Sequence, residues 1–303
     1  MLEFHTCDVF TDRAFAGNPL AIVLGADALT PRQMQTLARE FNLSETIFVQ
    51  APANPAHTAR VRIFFPTAEI PFAGHPTIGC AIHLAKAMGD GDFDRSLVLE
   101  EEAGLVPVRV RRQGTEVKAE FLAPVIPHAV TDAPDLARAL DPARLAAALG
   151  LTTTDIGFGT HQPGLWQGGP RFLYAPVASL DALSRARPQE PVWSEQMRAA
   201  GVDSIYLYTR GVGSDYQARM YSPTAGIPED PATGSASAIL AGQLLASGAL
   251  DHGATRLTLH QGVEMGRPSV IGLTAVVSGG RLTEVRIAGG AVPVSQGRVR
   301  VPD

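Results

Sequence analysis

Residues 66–71 read Pro-Thr-Ala-Glu-Ile-Pro and residues 223–228 read Pro-Thr-Ala-Gly-Ile-Pro, half a chain length apart and different at one position of six. The match extends in both directions. A strand-like run with an arginine in register, Arg62 or Arg219, precedes each copy. An X-Pro dipeptide, His75-Pro76 or Asp230-Pro231, follows each copy and opens a helix-like segment, and Gly79 and Ala81 of the first answer to Gly234 and Ala236 of the second. Further upstream, Glu45-Thr46-Ile47 answers to Asp203-Ser204-Ile205. Chance similarity in a chain rich in Pro, Ala and Gly does not explain matched context on both sides. The chain reads as two homologous α/β halves.

The size of the chain agrees. Its 303 residues are about twice the ~150-residue prior for one domain, and such a chain buries roughly 75% of its unfolded surface. Hydrophobic residues make up 45% and charged residues 18%, a balance that fits a packed globule and argues against disorder. With 30 Gly and 23 Pro, turns are frequent. A net charge of −5 gives no electrostatic reason to expect nucleic acid or an anionic membrane as partner. The N-terminal segment carries Glu3, His5 and Asp8 and lacks the basic start and apolar run of a signal peptide. No apolar run reaches the ~20 residues of a membrane span, so a cytoplasmic protein is expected.

Periodicity supplies the elements. Helices are predicted over 30–42, with Thr30 as cap and Pro31 in the first turn, and over 75–88, 141–149, 193–200 and 230–247. Strand-like runs fall at 17–24, 46–50, 59–65, 96–100, 106–111, 116–121, 204–208, 217–221, 256–260 and 270–277. The tail, 282–301, reads as short β runs separated by Gly. Strands outnumber helices and are short, which predicts an α+β fold with much antiparallel pairing.

Two like halves related by a pseudo-two-fold would face each other across a cleft. Helix N-termini entering it would offer unpaired N–H groups and positive dipole ends, a site for a carboxylate. Gly74 and Gly234 would let backbone and ligand approach closely. Asp230 is expected at a helix N-cap and His75 at the matching place; each alone reads equally well as a cap. As a pair across one cleft they become polar partners for a substrate. Ser235 falls in the first turn, either holding an anion with its hydroxyl or serving as a small packing residue. Glu45 enters an apolar strand directly after a helix. If buried, it costs free energy without partners, and desolvation moves its pKa toward the range useful for general acid/base work; the alternative is a turn residue facing water. Glu69, opposite Gly226 in the repeat, is expected to hold a loop.

Other chemistries find no support. Phosphate-loop, dinucleotide, nucleophile-elbow and zinc-protease motifs are missing. The eight His have no ligand spacing, and Cys7 and Cys80 form neither a disulfide framework nor a zinc pattern. No metal and no cofactor are expected.

Four motifs in order, Gly17-Asn18-Pro19, Ser44-Glu45-Thr46, Gly74-His75-Pro76-Thr77 and the run from Glu229 to Ala236, resemble the PhzF-like phenazine biosynthesis family. The resemblance implies a diaminopimelate-epimerase-like fold: two similar domains, each a β-rich barrel-like sheet around a central helix. The expected domains are 1–125 plus about 290–303, and 126–289. It implies a cofactor-independent isomerase moving a proton between carbons of a small cyclic or amino-acid-like carboxylate, such as trans-2,3-dihydro-3-hydroxyanthranilate. The resemblance makes Glu45 the general acid/base and puts His75 and Asp230 in the catalytic set. It puts Gly17, Asn18, Gly74, Gly234 and Ser235 against the substrate, and implies a homodimer. The alternative is a carboxylate-binding or regulatory protein without turnover. An epimerase or racemase is less favoured, since sister enzymes of the fold use one thiol from each half, whereas the two helix starts here carry His75 and Asp230.

Overall fold

The computed structural model describes residues 1–303, which divide into two compact units. The first comprises Met1–Leu122, Gly266–Val270 and Ile287–Asp303; the second comprises Ala123–Met265 and Ile271–Arg286. No helix is long and apolar enough to cross a membrane.

The first unit contains β1 (Leu2–Val9), β2 (Asn18–Val23), α1 (Pro31–Phe41), β3 (Glu45–Gln50), β4 (Ala59–Phe64), β5 (Glu69–Ile70), α2 (Gly74–Ala87), β6 (Phe93–Glu101), β7 (Gly104–Gln113) and β8 (Glu116–Leu122). The second contains β9 (His128–Ala129), α3 (Leu136–Ala139), α4 (Pro142–Leu149), β10 (Gly164–Gln167), β11 (Arg171–Pro176), α5 (Leu180–Arg185), α6 (Val192–Ala200), β12 (Ile205–Arg210), β13 (Tyr216–Ser222), β14 (Ile227–Asp230), α7 (Gly234–Ala246) and β15 (Gly253–Gln261). β16 (Ser269–Ser278) and β17 (Arg281–Val299) complete the chain.

In the first unit β1 pairs with β2, β2 with β3, β3 with β4, β4 with β6, β6 with β7, β7 with β8, β8 with β17, and β17 with β1. Eight strands close on themselves, which removes free edges. α2 packs against six of them, β1, β2, β3, β6, β7 and β8. Apart from its last turn it is mostly apolar or small, and ten of its 14 residues are buried, as expected of a helix enclosed by sheet.

The same path recurs in the second unit. β2 runs parallel to β3, β3 antiparallel to β4 and β4 parallel to β6; β11 runs parallel to β12, β12 antiparallel to β13 and β13 parallel to β15. β5 and β14 each add a short strand to the arginine-bearing strand, β4 or β13, and each leads into the buried helix. The repeat is therefore a repeat of topology. α7 packs against β9, β10 and β11 with ten of 13 residues buried. A separate layer formed by α3, α4, α5 and α6 gathers around Trp193, which is fully buried.

α1 follows its sequence signals closely. Thr30 Oγ1 accepts from Gln33 N, Gln33 Oε1 accepts from Thr30 N, and Asn42 closes the helix in the left-handed region, a complete capping box. Two expectations need correction. Asp230 does not cap a helix; it ends β14, opposite Met220 of β13. Pro231 holds the residue before it extended, so α7 begins at Gly234 with Thr233 in the cap position. His75, by contrast, lies inside the first turn of α2, where Pro76 forfeits no intrahelical bond because first-turn N–H groups have no helical acceptor. The tail is not a set of short runs. β17 is one strand of 19 residues, and its glycines make room for aromatic rings: a Cβ on Gly289 would lie 2.3 Å from Phe10, and one on Gly297 2.9 Å from Phe4.

Candidate active site

Three side chains of the first unit meet at the start of α2. Glu45 is the first residue of β3, aligned with Leu20 of β2. Asn18 is the first residue of β2, and His75 is the second of α2. All three are buried, with 7%, 0% and 3% of their surface exposed, so Glu45 is not the solvent-facing turn residue that its sequence position also allowed. His75 Nδ1 lies 3.2 Å from Glu45 Oε2 and 3.3 Å from Asn18 Nδ2.

Burial pushes the His75 pKa down to about 3, with the Pro19 carbonyl working against the shift. The positive end of the α2 dipole disfavours an imidazolium there as well. The ring is therefore neutral at physiological pH and presents one donor and one acceptor nitrogen. The Asn18 amide nitrogen only donates, so its contact with His75 makes Nδ1 the bare, accepting nitrogen and leaves the ring hydrogen on Nε2. The same bare Nδ1 lies 3.2 Å from Glu45 Oε2, where it can accept from the carboxyl O–H when Glu45 is protonated. His75 thus offers the acid form of Glu45 an acceptor, which helps a carboxylate that must take up a proton and give it back.

The loop before Asn18 is strained and clamped. Phe10, Phe15 and Gly17 all adopt positive φ. Asp8 Oδ2 accepts from Phe15 N at 2.6 Å, and Asp8 Oδ1 accepts from Arg267 Nη2 at 2.6 Å. Arg267 also donates to the Ala16 and Gly17 carbonyls. Gly17 has φ +67°, and a Cβ there would come within 2.3 Å of Val9 O. Both backbone groups of Gly17 are engaged, N with Pro268 O and O with Arg267; the residue delivers Asn18 to the start of β2.

In the second unit Asp230, Thr233, Gly234 and Ser235 follow one another into α7. Asp230 is buried, and its Oδ2 accepts from Thr233 Oγ1 at 2.5 Å. Neither α2 nor α7 has a side-chain cap on its first-turn N–H groups. Gly74 and Gly234 are the first residues of these helices, and Ser235 is half-buried beside Gly234. The repeated arginines hold the segments ahead of each helix. Arg62 pairs through two hydrogen bonds with Glu69, which opens strand β5 rather than holding a loop. Arg219 pairs in the same way with Glu229, next to Asp230, and also donates to the Leu183, Ser184 and Ala186 carbonyls.

Sequence reasoning did not single out Thr77, Glu101, Thr233 or Gln261. Thr77 Oγ1 lies 2.7 Å from Glu101 Oε1, and the Gln261 side chain bonds both Asp230 and Thr233. Thr77 and Thr233 lie inside the quoted motifs, the signal that points to them; Glu101 and Gln261 carry no local signal. Cys7 and Cys80 are buried, and burial raises both thiols, Cys7 to about 12. Such thiols are poor nucleophiles, and neither lies in the first turn of α2 or α7.

Comparison with known proteins bears on the family and the fold. A family model described as phenazine biosynthesis-like protein matches residues 7–297. An uncharacterized isomerase of Mesorhizobium japonicum is 43% identical over 96% of both chains. The trans-2,3-dihydro-3-hydroxyanthranilate isomerase of Pseudomonas fluorescens is 35% identical over 99% of both. A PhzF-family phenazine biosynthesis protein of Bacillus anthracis has a crystal structure that superimposes with a TM-score of 0.84, covering 99% of each chain at 26% identity. The closed strand circuit around α2, the repeated topology and the match over nearly the whole length lead to one assignment: this chain belongs to the phenazine biosynthesis-like protein family and is an isomerase of its PhzF type.

Proposed function

We propose that the protein is a cofactor-independent isomerase that moves a proton between two carbons of a small cyclic carboxylate of the dihydrohydroxyanthranilate kind. Glu45 is the general acid/base. It removes a proton from one carbon as the carboxylate and returns it to another as the acid, while the neutral His75 ring accepts from the acid form through Nδ1. One positioned carboxylate contributes roughly 10²–10⁴-fold to such a step. Asn18 orients His75, and Gly17 sets Asn18. The first turn that begins at Gly74 binds the substrate carboxylate through its backbone N–H groups; Gly234 and the Ser235 hydroxyl are included as substrate-binding on the family resemblance. Asp230 binds a polar substituent; its burial just ahead of the first turn of α7 supports its inclusion.

The observation that carries this reading is the 3.2 Å contact between a buried carboxylate and a neutral imidazole. Binding an anion does not call for a buried carboxylate, whereas proton transfer does. The family resemblance further supports a homodimer, and the charge balance supports an enzyme that binds no nucleic acid. The test is turnover of trans-2,3-dihydro-3-hydroxyanthranilate by the purified full chain with no added metal or nucleotide, followed by chromatography. Conversion is expected. No conversion of this compound or of related cyclic carboxylates would overturn the proposal.

A further inference from the structure

Glu101 and Gln261 occupy the same place in the two repeats. β4 runs parallel to β6 with Ala59 opposite Leu99, and β13 runs parallel to β15 with Tyr216 opposite Leu259. Ala59 and Tyr216 each stand three residues before the repeated arginine. The strand ends that follow, Leu99-Glu100-Glu101 and Leu259-His260-Gln261, therefore correspond. Both end residues are buried, Glu101 to 8% and Gln261 to 0% exposure.

Each reaches the segment that leads its own unit's central helix, and each meets a threonine hydroxyl there. Gln261 Nε2 donates to Thr233 Oγ1 at 3.0 Å and to the Asp230 carbonyl at 2.8 Å, and its Oε1 accepts from Thr233 N at 3.1 Å. Thr233 Oγ1 passes its hydrogen to the Asp230 carboxylate at 2.5 Å. In the first unit Thr77 Oγ1 lies 2.7 Å from both Ala73 O and Glu101 Oε1. A hydroxyl has one hydrogen, and Ala73 O only accepts. Both contacts are satisfied when Glu101 is a neutral acid that donates to Thr77, which donates on to Ala73. The chains then run alike: a neutral donor, amide or carboxyl, to a threonine, and from the threonine into the segment bearing Asp230 or leading to His75.

We propose that Glu101 and Gln261 are paired positioning residues, a protonated carboxyl and its isosteric amide, which fix the segments carrying His75 and Asp230 through Thr77 and Thr233. The protonated state of Glu101 agrees with its surroundings: burial raises its pKa to about 8, with the Thr77 hydrogen bond acting weakly the other way. Of titratable groups, the Cys80 thiol on α2 faces it, itself neutral. Ionised, Glu101 would compete with Ala73 for the single Thr77 hydrogen and loosen the first turn of α2.

This inference rests on the proposed isomerase site, so its test includes a measurement independent of turnover. Glu101→Gln, Glu101→Leu, Gln261→Glu and Gln261→Leu are made in the full chain. Amide hydrogen exchange is read in residues 73–78 and 230–234, with kcat, KM and the pH profile on trans-2,3-dihydro-3-hydroxyanthranilate. Glu101→Gln should keep kcat, keep protection of 73–78 and remove any fall in kcat above about pH 8. Glu101→Leu should speed exchange in 73–78 alone, and Gln261→Leu in 230–234 alone; each should lower kcat by about 10²-fold, the loss expected of a misplaced catalytic group. Gln261→Glu should match Gln261→Leu above the pH at which the new carboxyl ionises. Unchanged exchange in both Leu variants, or Glu101→Gln as damaging as Glu101→Leu, would overturn the inference. A wild-type chain inactive on this substrate would count against the isomerase reading while the exchange data still decide the positioning roles. If a Leu variant does not fold, the Glu101→Gln pH profile and exchange pattern carry the decision.

Discussion

Glu45 Oε2 and His75 Nδ1 stand 3.2 Å apart in the first unit, one at the head of β3 and the other in the first turn of α2. Strand and helix starts are rigid places to hold reacting groups, because their backbone is committed to ladder and helix bonds. A buried carboxylate beside a charged imidazole would be a plain ion pair. Beside a neutral imidazole whose Nδ1 accepts, its acid form has a partner and its charged form is not locked into an ion pair.

That relationship first predicts the titration of His75. The ordinary histidine value is 6.5 and the folded value about 3. The stability gained from holding the ring neutral is present above pH 6.5 and is lost as pH falls toward 3. The slope is at most about 1.4 kcal/mol per pH unit. In ¹⁵N NMR spectra the His75 ring should show no titration between pH 5 and 8. A midpoint near 6.5 would mean that the ring is solvated.

The buried arginine of the second repeat should matter more than its counterpart. Arg219 is 2% exposed and bonds Glu229 and three carbonyls. Arg219→Met strands a carboxylate and those acceptors, at a cost of about 3–5 kcal/mol. The Arg62–Glu69 pair is 22% and 26% exposed, and Arg62→Met should cost about 1 kcal/mol, in the range of a solvent-screened pair. Denaturant unfolding of both variants checks the order; equal losses would contradict it.

The fold was legible in the sequence where elements carry their own punctuation. The cap at Thr30 and the stop at Asn42 bound α1 almost to the residue, and the Pro-Thr-Ala-x-Ile-Pro repeat foretold the shared topology. Legibility failed where long-range packing decides. β1 was not recognised because Glu3, His5 and Asp8 interrupt its apolar pattern, yet it pairs with both β2 and β17. The glycines of β17 look like breaks until the rings of Phe10 and Phe4 fill the space above them. In the site, Glu45 and His75 were visible through their motifs. Glu101 and Gln261 were not, because their partners are remote in sequence and only the parallel registers of β4 with β6 and β13 with β15 bring the correspondence out.

Gly17 supplies a test of the loop that sets Asn18. At φ +67°, with Val9 O 2.3 Å from any added Cβ, Gly17→Ala must both strain and displace the backbone. The expected loss is about 1–3 kcal/mol, with a fall in activity larger than the lower stability explains, because Asn18 shifts relative to His75. Thermal unfolding and kcat measured well below the melting range separate the two effects. Wild-type activity in this variant would detach the loop from the site.

The central claim is that the Glu45 carboxylate moves the proton. Wild-type protein and Glu45→Gln are each incubated with trans-2,3-dihydro-3-hydroxyanthranilate in D₂O and followed by ¹H NMR. The amide preserves size and leaves no group able to abstract a proton from carbon. The account predicts isomerisation by the wild type. It predicts that both isomerisation and deuterium wash-in by Glu45→Gln are slower by about 10²–10⁴-fold, in a variant that melts at the wild-type temperature or above. Isomerisation or deuterium exchange by folded Glu45→Gln at the wild-type rate would contradict it.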